Sequence, residues 1–292
     1  MSEHDKLTIT RAAIERLADC KDPRFKTIMT SLIGHLHDFA RDVKLTQDEW
    51  LTAIKFLTDT GRTCTERRQE FILLSDTLGV SMLVVMLAEA EASARAKSAT
   101  PATEATVMGP FFREGAPSLP PGSDISTGAP GEPALYTGRI TDLEGTPIAN
   151  ALLDVWSSDA QGYYDVQLPG AEMKARARFE SDGEGRYRFW SIRPSHYPIP
   201  TDGPVGAMLN RMGRHPFRPA HMHLMVHASG FVPLTTHVFA SDSQYLDSDA
   251  VFGVRNSLIA EFESHGPGKA PDGRSMSSRY YTMNFDLRLA RA

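Results

Sequence analysis

The chain has 292 residues, 41% hydrophobic and 23% charged, enough for about two domains with their own cores. A formal net charge of −5 predicts no basic surface for nucleic acid or anionic membrane. Two cysteines, Cys20 and Cys64, without a CxxC exclude a disulfide framework and a thiolate zinc site, so a reducing cytoplasm is the expected compartment. The opening MSEHDKLTIT has no basic run leading into an apolar one, so no signal peptide is expected. Met82–Ala88 is the longest clean apolar run, far short of the roughly 20 residues of a membrane span.

In chain order, the first hundred residues read as helix. Asp22-Pro23 is an N-cap followed by proline at the first helical position, and Ile28, Leu32, Leu36 and Phe39 then recur at helical spacing. Thr46–Glu49 is a capping box before Trp50, Leu51, Ile54 and Leu57. Thr63–Glu66 reads as a second capping box, ahead of Phe71, Leu74, Leu78 and the Met82–Ala88 run; Arg67, Arg68 and Glu70 supply its polar side. Lys97–Thr106 reads as a linker or extended arm, and Gly109–Pro133 is dense in glycine and proline. Beyond it lie short β-runs between turns: Leu135–Thr141, Ala151–Trp156, Arg176–Glu180, Arg186–Ile192, Phe231–Phe239 and Tyr280–Leu287. Leu258–Glu263 reads as a short helix. The pattern predicts a mainly β protein: a helical region over 1–104 and a β-sandwich domain over 105–292. The apolar helices predict a homodimer through the N-terminal region.

The chemistry concentrates in Arg214–His227, RHPFRPAHMHLMVH. His221 and His223 are two apart in a β-like run, which puts both imidazoles on one face, where they can chelate one ion. His35 and His37 share the spacing but lie in a helical stretch, where they diverge by about 200°. A cupin site would place a glutamate four or five residues further on; His227 and Ala228 stand there, and there is no HExxH. No acid lies close by in sequence. Two tyrosine segments leave strand ends into loops, Gln161-Gly-Tyr-Tyr164 and Arg193–Pro200 around Tyr197, where rigid scaffolds commonly carry function. A zinc hydrolase with an unseen acid and a non-catalytic β-sandwich ligand carrier both remain open at this point.

Together, GYY, RPxHYPIPxDGPVG and RPAHMHxxVxAxGF resemble the intradiol ring-cleaving dioxygenases, in the branch acting on catechol and hydroxyquinol. The resemblance spans nearly the whole chain and includes the arm Thr106–Phe112. It implies one non-haem Fe(III) per subunit, held by Tyr164, Tyr197, His221 and His223. Hard phenolate oxygens favour ferric iron, whereas a two-histidine, one-carboxylate set favours Fe(II). The implied reaction is O2-dependent cleavage of hydroxyquinol (benzene-1,2,4-triol) between its ortho hydroxyls, giving 3-hydroxy-cis,cis-muconate or maleylacetate. Catechol or chlorocatechol cleavage is the alternative.

The resemblance also gives Tyr197 the role of a ligand that leaves and takes a substrate proton. It sets Arg218 beside the substrate, where its permanent charge stabilises charge on the ring. The implied pocket takes Val80 and Leu83 from the helices, and Val107, Met108, Gly109, Pro110 and Phe111 from the arm. Ile199, Pro200, Arg218 and Val251 complete it. Val80, Leu83 and Val85 offer no polar group for a third hydroxyl, which keeps catechol open; Ser81 is a polar substitute. A homodimer with lipid bound in its interface is implied as well.

Overall fold

The structure, a computed structural model, describes residues 3–95, 99–126, 128–170 and 172–292. Contacts divide the chain into two compact units, residues 1–59 and 60–292. The first unit holds α1 (Glu3–Glu15), α2 (Pro23–Asp42) and most of α3 (Gln47–Thr63). Asp22 caps α2 by accepting from Phe25 N at 3.0 Å, as its sequence predicts. The Thr46 box closes in both directions, Thr46 N to Glu49 Oε2 at 2.9 Å and Glu49 N to Thr46 Oγ1 at 3.3 Å. Thr10 Oγ1 lies 3.0 Å from His37 Nδ1 and accepts from Arg41 Nη1, joining α1 to α2. The apolar stripe of α2, Ile28, Leu32, Leu36 and Phe39, is exposed.

The second unit opens with α4 (Glu70–Thr77) and α5 (Val80–Arg95). The capping box expected at Thr63–Glu66 does not form. Thr63 ends α3, and Thr65 Oγ1 instead accepts from Arg67 N and Arg68 N in a tight turn. Glu70 is not on a polar face but fully buried, paired with Arg68. Its Oε1 accepts from Val205 N at 3.2 Å, capping α6 (Pro204–Arg211), whose own N-cap Gly203 has no side chain to do so. Among the described residues no single helix is long and apolar enough to cross a membrane; α4 and α5 pass that test of length and composition together, as a pair bent by 71°.

Two five-stranded sheets follow. One contains β1 (Pro133–Asp142), β4 (Arg186–Ile192), β10 (Glu263–His265), β13 (Tyr280–Asn284) and β14 (Leu287–Leu289). The other runs β3 (Arg176–Glu180), β2 (Leu152–Trp156), β7 (His221–His227), β8 (Leu234–Ala240) and β9 (Ile259–Ala260). Short ribbons pair β5 (Tyr197–Pro198) with β6 (Phe217–Arg218), and β11 (Gly268–Lys269) with β12 (Ser275–Met276). The sheets share one core, in which Phe179 of one stacks on Phe189 of the other at 5.2 Å. This is the expected sandwich with a helical N-terminal region. The helix expected at Leu258–Glu263 shrinks to one 3-10 turn, Asn256–Leu258, because Ile259 pairs with Phe239 at the sheet edge. The arm lies along the sandwich, Thr103 N donating to Arg288 O and Thr106 N to Thr235 O; Lys97 and Ser98 of the expected linker fall outside the described residues.

β7 positions the site. Its period of two sends Met222, Leu224 and Val226 into the sandwich core. His221, His223 and Met225 therefore face the opposite way, and that face is buried too.

Candidate metal centre and active site

The outer face of β7 is flanked in register by Trp156 of β2 and His237 of β8, both directly opposite His223. Two tyrosines reach the same point from loops. Tyr164 precedes a 3-10 turn, Asp165–Gln167, and is held by Gln167 Oε1 accepting from its N–H at 2.8 Å. Tyr197 lies in the β5–β6 ribbon opposite Arg218. Gly162 allows the loops to meet: it has φ +87°, and a Cβ there would stand 2.5 Å from Tyr197 Cβ.

Tyr164 Oη lies 3.2 Å from Tyr197 Oη, 2.9 Å from His223 Nε2 and 3.4 Å from His221 Nε2. The two Nε2 atoms are 3.2 Å apart. Donors roughly 2.1 Å from a common ion stand about 3.0–3.4 Å from one another, so this spacing suits a single metal ion. All four side chains are at most 2% exposed. Burial holds both imidazoles well below their usual pKa, and both phenols above theirs. Such a set is neutral by itself, with lone pairs converging, and its phenols would ionise only against a cation. The phenols also differ. Burial raises both; the Arg218 charge and then the hydrogen bond received from Tyr164 lower Tyr197 against it, whereas the Tyr197 contact raises Tyr164 further, so Tyr197 is the more readily ionised.

Arg218 is buried and held in a fork. Nε and Nη2 donate to Asp249 Oδ1 and Oδ2 at 3.0 and 3.2 Å, and Nη1 to His221 Nε2 at 3.3 Å. Burial alone would lower its pKa; the Asp249 carboxylate more than reverses this and keeps the guanidinium charged. Asp249 also accepts from Val251 N and Gly253 N. Gly253 leaves the fork undisturbed: a Cβ there would stand 2.9 Å from Arg218 Nη2 and 3.1 Å from Asp249 Oδ2.

The other predicted residues fall into three groups. Phe111 stacks on Tyr164 at 4.5 Å, and Gly109 backs onto His223. Val107, Ile199 and Val251 share a buried apolar cluster with Leu73 and Met82. Pro110 and Pro200 are half-buried, whereas Val80, Leu83 and Met108 are 44–55% exposed and belong to neither cluster. Ser81 donates to Ser75 Oγ at 2.8 Å.

Sequence reasoning missed His237, Trp156, Asp249 and Asp76. His237 joins His221 and His223 in a buried group whose potential ligand atoms all lie within 4.8 Å of one another. Its Nδ1 is 2.9 Å from Thr106 Oγ1. Its place on a β-run was legible, but its partner depends on register between strands, which spacing does not give.

Two buried acids give testable consequences. Asp165 pairs with Arg176, itself 3% exposed, and with Arg113; Arg176 also donates to Phe111 O, tying the arm to the Tyr164 loop. Arg176→Leu leaves that carboxylate poorly compensated and is expected to cost roughly 3–5 kcal/mol in urea unfolding. Asp76 is 2% exposed, and burial raises its pKa above 3.8 despite the nearby Ser81 hydroxyl and the charge of Arg218. The native state therefore holds this proton more tightly than the unfolded chain, and stability falls as pH rises from about 4 through the raised value. Asp76→Asn is expected to raise Tm at pH 7–8 and to leave it nearly unchanged near pH 4, read by thermal melts at both.

A buried cluster of two phenols and neutral imidazoles on a β-sandwich fits a metal site. The family model described as "Dioxygenase" matches residues 107–290, and "Catechol dioxygenase N terminus" matches 22–96. The chain is 50% identical over 263 residues to a 6-chlorohydroxyquinol 1,2-dioxygenase of Cupriavidus pinatubonensis, covering 90% of this chain and 93% of that one. It is 48% identical over 273 residues to a hydroxyquinol 1,2-dioxygenase of Nocardioides simplex, covering 93% and 90%. The solved hydroxyquinol 1,2-dioxygenase of Pseudomonas putida matches with TM-score 0.88 and 43% identity over all of both chains. The catechol 1,2-dioxygenase of Pseudomonas arvilla matches at 0.85 and 30%, over 100% of this chain and 93% of that one. The chain belongs to the intradiol ring-cleavage dioxygenases and is an oxidoreductase of that class.

Proposed function

We propose that this enzyme cleaves hydroxyquinol between its ortho hydroxyls with O2, giving 3-hydroxy-cis,cis-muconate or its keto form, maleylacetate. The observation that carries the reading is that Tyr164 Oη meets Tyr197 Oη, His221 Nε2 and His223 Nε2 at 2.9–3.4 Å, with the two Nε2 atoms 3.2 Å apart. The substrate follows the relatives, whose names specify hydroxyquinol or its 6-chloro derivative at 43–50% identity. Those four residues would hold one Fe(III), because two phenolate oxygens and two neutral imidazoles suit a hard trivalent ion. Iron(III) bound there makes an aromatic diol reactive toward O2 without an external reductant.

The side chains do the rest. Tyr197, as the phenolate, would accept a substrate hydroxyl proton at Oη. Arg218 stabilises negative charge on the ring, with a guanidinium already fixed by Asp249. Phe111, stacked on Tyr164, and the cluster of Val107, Ile199 and Val251 keep water out. Ser81 on α5, the polar substitute for binding a third hydroxyl, donates to Ser75 Oγ, which favours a second reading, catechol or chlorocatechol as substrate. Comparison of kcat/KM for hydroxyquinol and catechol separates the two.

The exposed stripes of α2 and α3 support a homodimer, with the helical region 1–104 as its dimerisation part and lipid held in the interface. The unpaired Cys20 and Cys64 suit the cytoplasm. The test of the whole reading is the visible spectrum of purified protein. A phenolate-to-iron band that moves to longer wavelength on anaerobic addition of hydroxyquinol is expected, and a colourless protein with stoichiometric zinc would overturn it.

A further inference from the structure

We propose that Trp156 is a positioning residue for the bound metal, acting through the face of His223; the inference rests on the metal centre proposed above. The two imidazoles of β7 are held by different means. His221 Nδ1 donates to the Pro219 carbonyl at 2.7 Å, the usual way a ligating histidine is oriented and made more basic. His223 is 1% exposed, yet its Nδ1 has no hydrogen-bond partner among the described residues.

Its ring is held by surfaces instead. Trp156 lies face to face with it at 4.5 Å and 15°. This contact is set by the strand register, in which Trp156 stands opposite His223. Phe112 supports the indole at 5.1 Å, and His237 meets His223 at right angles at 4.2 Å. Gly109 borders the ring as well: a Cβ there would be in ordinary contact with His223 Cε1, at 3.5 Å.

The indole contributes its face, not its N–H. Trp156 Nε1 is also buried without a hydrogen-bond partner among the described residues. Simple packing would be met as well by phenylalanine, which has no N–H to strand. The wider indole spans the imidazole and limits its rotation, fixing the direction of the Nε2 lone pair. Stacking adds none of the electron density that a hydrogen-bonded carbonyl gives His221. His223 is therefore a well-aimed but weaker donor, and the ion it holds is more electron-poor.

The test compares wild type with Trp156→Phe and Trp156→Leu, each loaded with iron and challenged with an excess of a strong iron chelator. Release is followed by loss of the visible band, alongside the band maximum and the melting temperature of the iron-free proteins. Orienting groups around ligands commonly change metal affinity 10–100-fold, so release is expected to be roughly tenfold faster in Trp156→Leu and about threefold faster in Trp156→Phe, with a displaced band. A folded Leu variant that releases iron at the wild-type rate with an unmoved band would overturn the proposal. If the Leu variant does not fold, the Phe variant decides, and a wild-type rate there overturns it equally. Wild-type protein that takes up no iron, or shows no phenolate band, would instead overturn the reading of the metal centre itself.

Discussion

Replacing Tyr197 with phenylalanine is expected to lower kcat by roughly 10²–10⁴-fold while the protein stays folded. The ring survives the change. It keeps its edge-on contact with Tyr164 at 5.3 Å and its tilted contact with His221 at 5.6 Å. Only the hydroxyl is lost, and the bond it receives from Tyr164 is worth about 0.5–1.5 kcal/mol. Tyr164 keeps His223 Nε2 at 2.9 Å, so the remaining donors stay together. Rate and fold therefore separate: turnover and the visible band change strongly, while the melting temperature moves little. Unchanged colour and unchanged turnover would remove Tyr197 from the centre.

The second large effect is expected at the guanidinium fork. Arg218→Ala would leave Asp249 buried beside a void, mixing catalysis with the cost of an unpaired charge. Arg218→Lys keeps the charge but cannot reach Asp249 with two parallel donors. A fall in kcat of about 10²–10³-fold is expected, with iron content near wild type. Asp249→Asn should lower kcat in the same direction, because the carboxamide loses the charge that anchors the fork while its Oδ1 still accepts from the loop. Steady-state kinetics with iron determined on the same samples tests both. Loss of iron with full activity per iron would count against the role of Arg218.

Much of this architecture was legible in the sequence because it is written in local signals. Asp22 and the Thr46 box start their helices where the hydroxyl and carboxylate chemistry says they should. Arg176–Glu180 and Arg186–Ile192 are strands over the predicted residues, since a glycine-rich turn bounds them. The HxH pair was readable because a strand repeats every two residues. What failed was non-local. Thr63–Glu66 has a capping pattern, but α3 runs on through Thr63 and Thr65 takes the turn's N–H groups, while Glu70 is drawn inward to cap a helix 135 residues away. Trp156, His237 and Asp249 come to the centre through strand register and loop closure, and no spacing within one segment encodes either. The tyrosines were conspicuous as loop residues, yet their convergence depends on Gly162, whose missing side chain is a signal only once Tyr197 is seen beside it.

The two buried faces of β7 make the segment intolerant of any change in phase. Methionine, leucine and valine alternate with the histidines, so odd and even positions serve separate ends, chemistry on one side and cohesion on the other. Inserting a single residue after Ala220 would exchange the sides. Imidazoles would enter the oily interior, and aliphatic groups would face the tyrosines. A point substitution damages one end and spares the other, whereas a slip of one residue abolishes both together. This stretch can thus accept altered letters during divergence, but not an altered count.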